Sequence, residues 1–227
     1  MTDTWAYKYE DYPNSKTFSH NNGNVESEKY EEGIYVGYRY FDTFQIPVRY
    51  PFGYGLSYTD FDINVKSIAK ASEDSIRVTV NVKNTGDNYS GKEVVQVYAS
   101  CPQDKMEKEY RRLTGFAKTK LLAPGQSQEL SIEIPLYTLA SFCTKTPGWV
   151  LEKGVYGLFV GNSIADASLA GTFNLDEDAL LVKTEHICPL KEELEELSAP
   201  KEAVTALRNA WLTDAGKVPA LTFSASG

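Results

Sequence analysis

The chain has 227 residues, is 42% apolar and 24% charged, and carries a formal charge of −8 at pH 7. That length and apolar content supply a packed core, which excludes wholesale disorder. The acidic balance excludes nucleic acid as a partner, because phosphate binding needs clustered Lys and Arg.

Residues 1–60 are dense in Tyr, Phe, Gly and Asn and show little periodic apolar pattern. Such a segment is expected to be an irregular arm that packs against something else. The first residues lack the basic flank and apolar stretch of a signal peptide, which leans the expected location toward the cytoplasm. No apolar run reaches the length that crosses a bilayer, so no membrane partner is expected.

Residues 61–175 read as strands. In 75–83 (SIRVTVNVK), Ile76, Val78, Val80 and Val82 alternate with polar residues, the pattern of a half-buried antiparallel strand. Asn84 to Asp87 supplies turn chemistry, read as Asn and Gly tolerating positive φ. Segment 92–99 is apolar enough for a central strand, and 113–122 is another, closed by the Pro-Gly turn at 123–126. Segment 128–134 points Leu130, Ile132 and Ile134 inward, and 155–160 and 169–175 complete the set. Short alternating strands separated by turns, with no helical pattern between them, predict a mainly β fold, an antiparallel β-sandwich.

Residues 176–227 change character again. Leu190, Leu194 and Leu197 have helical spacing, and a second helix is predicted with Ser198 as its cap and Pro200 in its first turn. That helix places Val204, Leu207 and Trp211 on one side and ends near Gly216 and Pro219. Residues 220–227 read as a loose tail, giving a short helical C-terminal connector.

Little in the chain suggests self-sufficient chemistry. The two histidines, His20 and His186, lie in different regions without metal-ligand spacing. Cys101, Cys143 and Cys188 are far apart and odd in number, which reads as reduced, partly buried thiols. No nucleophile elbow, zinc helix or phosphate loop is present, so no cofactor, no metal and no catalytic residue is assigned. The glycine-rich 52–57 lacks the third glycine and following helix of a dinucleotide site. The aromatic segment 35–44 admits a sugar-stacking reading with Tyr38, Arg39 and Asp42 as substrate-binding residues. Packing between domains is the stronger reading of the same residues, with Asp42 holding Arg39 or a backbone amide.

Two long motifs, 30–42 (YEEGIYVGYRYFD) and 50–61 (YPFGYGLSYTDF), resemble the end of the α/β sandwich domain of glycoside hydrolase family 3, the β-glucosidase family. Further matches follow in order at 80–86 (VNVKNTG), 91–98 (GKEVVQVY), 112–116 (RLTGF), 122–125 (LAPG) and 154–161 (GVYGLFVG), where that family carries a fibronectin type III-like domain. The resemblance implies three parts: 1–60 as a remnant of the α/β sandwich domain, 61–175 as the fibronectin type III-like sandwich, and 176–227 as a connector. Family members hydrolyse terminal β-linked sugars with retention, using an Asp of a barrel domain and a Glu of the α/β sandwich domain, neither of which this chain matches. The implied role is a non-catalytic module partnered by the barrel and α/β sandwich domains. A carbohydrate-binding or adhesion module without hydrolysis is the alternative, with a β-linked oligosaccharide as its ligand. A complete enzyme of unknown mechanism ranks third. The aromatic arm also suggests homo-oligomer formation.

Overall fold

A computed structural model describes residues 1–188, 192 and 194–224. In chain order its strands and helices are β1 Trp5–Ala6, α1 Tyr38–Thr43, β2 Val48–Tyr50, β3 Phe61–Ser72, β4 Ser75–Asn84, β5 Val94–Ser100, β6 Arg112–Lys118, β7 Ser127–Pro135, β8 Ser141–Cys143, β9 Gly148–Leu151, β10 Gly154–Gly161, β11 Ser168–Leu175, β12 Ala179–Lys183, α2 Lys201–Leu212 and β13 Ala220–Phe223. One sheet has the order β3-β4-β7 and the facing one β13-β11-β10-β5-β6. Together they form the expected fibronectin type III-like sandwich. A small sheet, β12-β9-β8, and a two-stranded ribbon, β1-β2, flank it.

The alternation read from the sequence builds the core. Ile76, Val78, Val80 and Val82 of β4 are fully buried, and Leu130, Ile132 and Ile134 of β7 lie beside them. The β4–β7 register pairs Val80 with Leu130 and Val78 with Ile132, so both apolar sets share one face. Across the sandwich they meet Val95, Val97, Ala99, Leu158 and Val160. Strand β5 sits between β10 and β6, the central position expected of it. The turn after Leu122 has Pro124 followed by Gly125 at φ +76°, with Gln126 N donating to Ala123 O at 2.9 Å, the geometry of a type II turn.

Several expectations are corrected. Neither Asn84 nor Gly86 adopts positive φ. Asn84 is instead fully buried and acts as a bracket. Its amide donates to Leu122 O and Tyr89 O, both at 2.9 Å, and its carbonyl accepts from Gly86 N and the Thr59 hydroxyl. A Cβ on Gly86 would lie 2.2 Å from Thr59 Oγ1, so this glycine provides space. Residues 61–72, not singled out as a strand, form the longest one. Its burial pattern is mostly exposed, because β3 is a sheet edge and lacks clean alternation.

The C-terminal region differs most. The helix expected over 190–197 falls partly outside the described residues, and its described members 192 and 194–197 are not helical. The second helix exists as α2, but Pro200 is its N-cap residue and Ser198 does not cap it. Val204 and Trp211 are buried and Leu207 is half-buried. Residues 220–223 of the tail expected to be loose form β13, which pairs in parallel with β11 from Thr172↔Ala220 to Leu175↔Phe223, and 225–227 of that tail lie outside the described residues. Phe223 closes an aromatic stack in which Tyr156 and Phe173 lie 4.4 Å apart and nearly parallel. Of the thiols, Cys101 is buried, Cys143 half-buried and Cys188 exposed, and all three are unpaired.

Candidate functional site

The glycine at position 37, at φ +60°, turns the chain into α1, and Gln45 (φ +54°) and Pro47 end it after a turn and a half. This short helix lies against the start of β6, an edge strand whose amides need acceptors. Thr43 Oγ1 accepts from Tyr110 N at 2.9 Å, and the Tyr38 hydroxyl accepts from Leu113 N at 2.8 Å. The Tyr38 ring packs on Phe52 and, edge-on, on Tyr98.

The three residues singled out from the sequence therefore have different surroundings. Tyr38 is committed to packing. Asp42 holds Arg111, not Arg39: Arg111 donates to it through Nε at 3.0 Å and Nη2 at 2.5 Å, a bidentate pair that is largely buried. Burial pushes the Asp42 carboxyl above its usual value, and Arg111 opposes that shift. Arg111 also donates to Ile164 O and Ala167 O, so this pair joins the arm to the loop after β10. Arg39 stays half-exposed, with its Nε 3.8 Å from Glu109 Oε1.

Residues 105–113 hold carboxylates and cations that sequence reading passed over, because no spacing rule marks them. Glu107 accepts from the Tyr35 hydroxyl at 2.5 Å, Ala199 N at 2.7 Å and Ser198 Oγ at 2.7 Å. It thus clamps the arm and the entry to α2 onto the sandwich, which explains why Ser198 does not cap the helix. Burial and the Glu107 carboxylate both push the Tyr35 hydroxyl pKa up. Lys108 and Glu152 form a fully buried ion pair, and the Lys108 ammonium also donates to Pro102 O at 2.7 Å. Glu109 lies under Arg112, whose Nε is 2.7 Å from Oε1, while the other guanidinium nitrogens reach Leu139 O, Ala140 O and Ser141 Oγ.

Above Glu109 a groove of about 720 Å³ opens between the arm, the β8–β9 hairpin and β12. Tyr137, Phe142 and Trp149 line it with exposed rings, and Phe142 and Trp149 meet edge-on at 5.8 Å. Arg39, Glu107, Glu109 and Arg112 supply its charged side. Of the three residues proposed from sequence, Arg39 alone lines this groove. Asp42 and Tyr38 border a separate depression of about 260 Å³ beside Pro47 and Ile164. The histidines stay apart: His20 Nδ1 is 2.6 Å from Asn24 O, and His186 Nε2 is 3.2 Å from Thr144 O. Among the described residues no group of His, Cys, Asp and Glu is arranged to hold a metal. Gly53, at φ +90°, packs against Gln96 and the Asn162–Ser163 backbone, where a Cβ would lie within 2.9 Å of each.

Comparison with known proteins places this geometry. A family model for the fibronectin type III-like domain matches residues 93–164. The chain is 40% identical over 206 residues to a β-glucosidase of Ruminococcus albus, a match covering 88% of this chain and 20% of that protein. The crystal structure of a β-glucosidase from Paenibacillus barengoltzii superposes with a TM-score of 0.75 at 41% identity, over 82% of this chain and 21% of that one. A GH3 β-glucosidase from Bifidobacterium adolescentis superposes at 0.71 with 32% identity, over 82% of this chain and 27% of its own. The chain spans about a fifth to a quarter of the length of these relatives.

Proposed function

The chain matches the C-terminal fibronectin type III-like region of the family 3 glycoside hydrolases, and from that premise we propose that it is a non-catalytic accessory module of such an enzyme, bracing a barrel and an α/β sandwich domain. In this reading residues 1–60 are the end of the α/β sandwich domain, 61–175 the brace and 176–227 the connector. The full enzyme would hydrolyse terminal β-linked sugars with retention. Tyr38 and Asp42 then serve to seat the arm, not to bind substrate.

The observation that carries the reading is the contrast between a finished core and an unfinished arm. The sandwich interior is closed, while Tyr30, Leu56 and Tyr58 of the two family motifs stand 87%, 89% and 90% exposed. Large apolar side chains so placed are typical of surfaces that another domain covers. The Lys108–Glu152 and Asp42–Arg111 pairs support the same role, since each ties together segments distant in the chain. The test is turnover of an aryl β-glucoside by the purified chain. None is expected. Turnover that persists through purification and vanishes on replacing one carboxylate overturns the proposal.

A further inference from the structure

The groove between the arm, β8–β9 and β12 has a composition that a purely bracing module does not require. We infer that it is a binding site for a neutral oligosaccharide, whose pyranose rings stack on Trp149, Phe142 and Tyr137.

Three aromatic rings face one groove while staying 40% to 69% exposed, on a sandwich whose own core is already complete. Aromatic faces of this kind attract the weakly polarised C–H faces of sugar rings, and their polar tips bond hydroxyls. Hydrogen-bonding capacity stands beside them. Arg39 makes one long ion pair and no hydrogen bond within the described residues, which leaves its guanidinium donors free. The Tyr137 hydroxyl and the Trp149 indole N–H also have no partner there. Arg112, in contrast, is held in place by Leu139 O, Ala140 O and Ser141 Oγ and by Glu109 beneath it, so it forms a rigid wall.

Charge narrows the ligand class. The two guanidinium groups of the lining face two carboxylates, Glu107 and Glu109, and the formal charges cancel. A phosphate or an acidic peptide would find no excess of positive charge, and a cationic ligand no free carboxylate, because Glu107 already accepts three hydrogen bonds. A helix or an apolar peptide would cover the free guanidinium donors of Arg39 without supplying acceptors, at a cost. A polyol with one apolar face per ring meets both halves of the lining. The volume, about 720 Å³, lies within the ~300–1,000 Å³ usual for ligand sites.

The inference stands on the groove and is independent of the accessory role. Titration of the full chain with cellotetraose, laminaritetraose and xylotetraose, followed by tryptophan fluorescence and calorimetry, tests it. Saturable binding is expected for at least one of them, with a dissociation constant at or below about 1 mM. Trp149→Ala and, separately, Tyr137→Ala should each weaken binding about tenfold or more, while Trp5→Ala, on an exposed indole outside the groove, should not. Tyr137 projects from a surface turn and is 69% exposed, so its variant reports on the site even where Trp149→Ala perturbs the hairpin. Absence of saturable binding to all three sugars up to about 10 mM, far weaker than a specific complex, overturns the inference. So does binding that survives both groove variants.

Discussion

At the scale of single residues, the buried polar groups do the joining. Lys108 and Glu152 are each 1% exposed, and taking two charges out of water is costly unless each satisfies the other. Glu152 also receives Lys105 N at 2.5 Å, and its own carbonyl accepts the Tyr156 hydroxyl at 2.6 Å, so the pair pins the 102–108 loop to the start of β10. Glu152→Gln leaves an uncompensated ammonium inside and should destabilise the chain by about 3–5 kcal/mol, read as a lower urea midpoint. The double replacement Lys108→Met with Glu152→Leu should recover most of that loss, since it removes both charges together. A double variant no more stable than the single one would show that the loop depends on the charges for its shape.

At the scale of elements, α2 is the piece whose placement is least local. Its Trp211 ring packs edge-on against Phe159 at 5.9 Å and sits over Gly157, where a Cβ would come within 3.1 Å of it. Arg208, one turn earlier, donates to Cys101 O at 2.5 Å and Val155 O at 2.9 Å, so the helix covers the outer face of β5 and β10. This explains why β10 is buried on both faces, although an antiparallel strand ordinarily wets one. Trp211→Ala should cost about 3–5 kcal/mol and expose β10 amides to hydrogen exchange, while β4 and β7 amides keep their protection. Uniform loss of protection would instead mean that α2 and the sandwich unfold as one unit.

At the scale of the whole molecule, the arm, the 105–113 segment and the connector converge on one side. Glu107 touches residues 35, 198 and 199, and Leu197 N donates to Glu31 O at 2.6 Å. The exposed apolar residues Leu56 and Tyr58 lie outside that convergence, and under the proposed accessory role they are the surface that other domains would cover. A chimera in which this chain replaces the matching region of the Ruminococcus albus β-glucosidase tests this. Leu56→Asp with Tyr58→Asp should leave the melting temperature of the isolated chain unchanged, because both side chains are about nine-tenths exposed. The same pair should lower the melting temperature or the turnover of the chimera, since it places charges in an apolar contact. A chimera indifferent to the pair would remove these residues from the interface.

Much of the fold is legible in the sequence because sandwich strands carry their own signature. In β4 the period-two pattern of β-branched residues is set by burial of one face, and a local window contains it whole. The resemblance of 30–61 and 80–161 to family 3 glycosidases is equally a property of the string. What the string does not contain is any contact made across long separations. Strand β13 reads as a tail because four residues carry little pattern, and it becomes a strand only where β11 offers a free edge. Ser198 reads as a cap because a cap is a local device, yet Glu107, 91 residues away, takes its hydroxyl. Asp42 reads as a partner for nearby Arg39 or a backbone amide, and the fold brings Arg111 to it from 69 residues away. The sequence by itself determined the sandwich, its inward faces and its kinship. Tertiary structure alone decided the ion pairs, the parallel closing strand and the aromatic groove, because each depends on which distant residues the packed core brings within bonding distance.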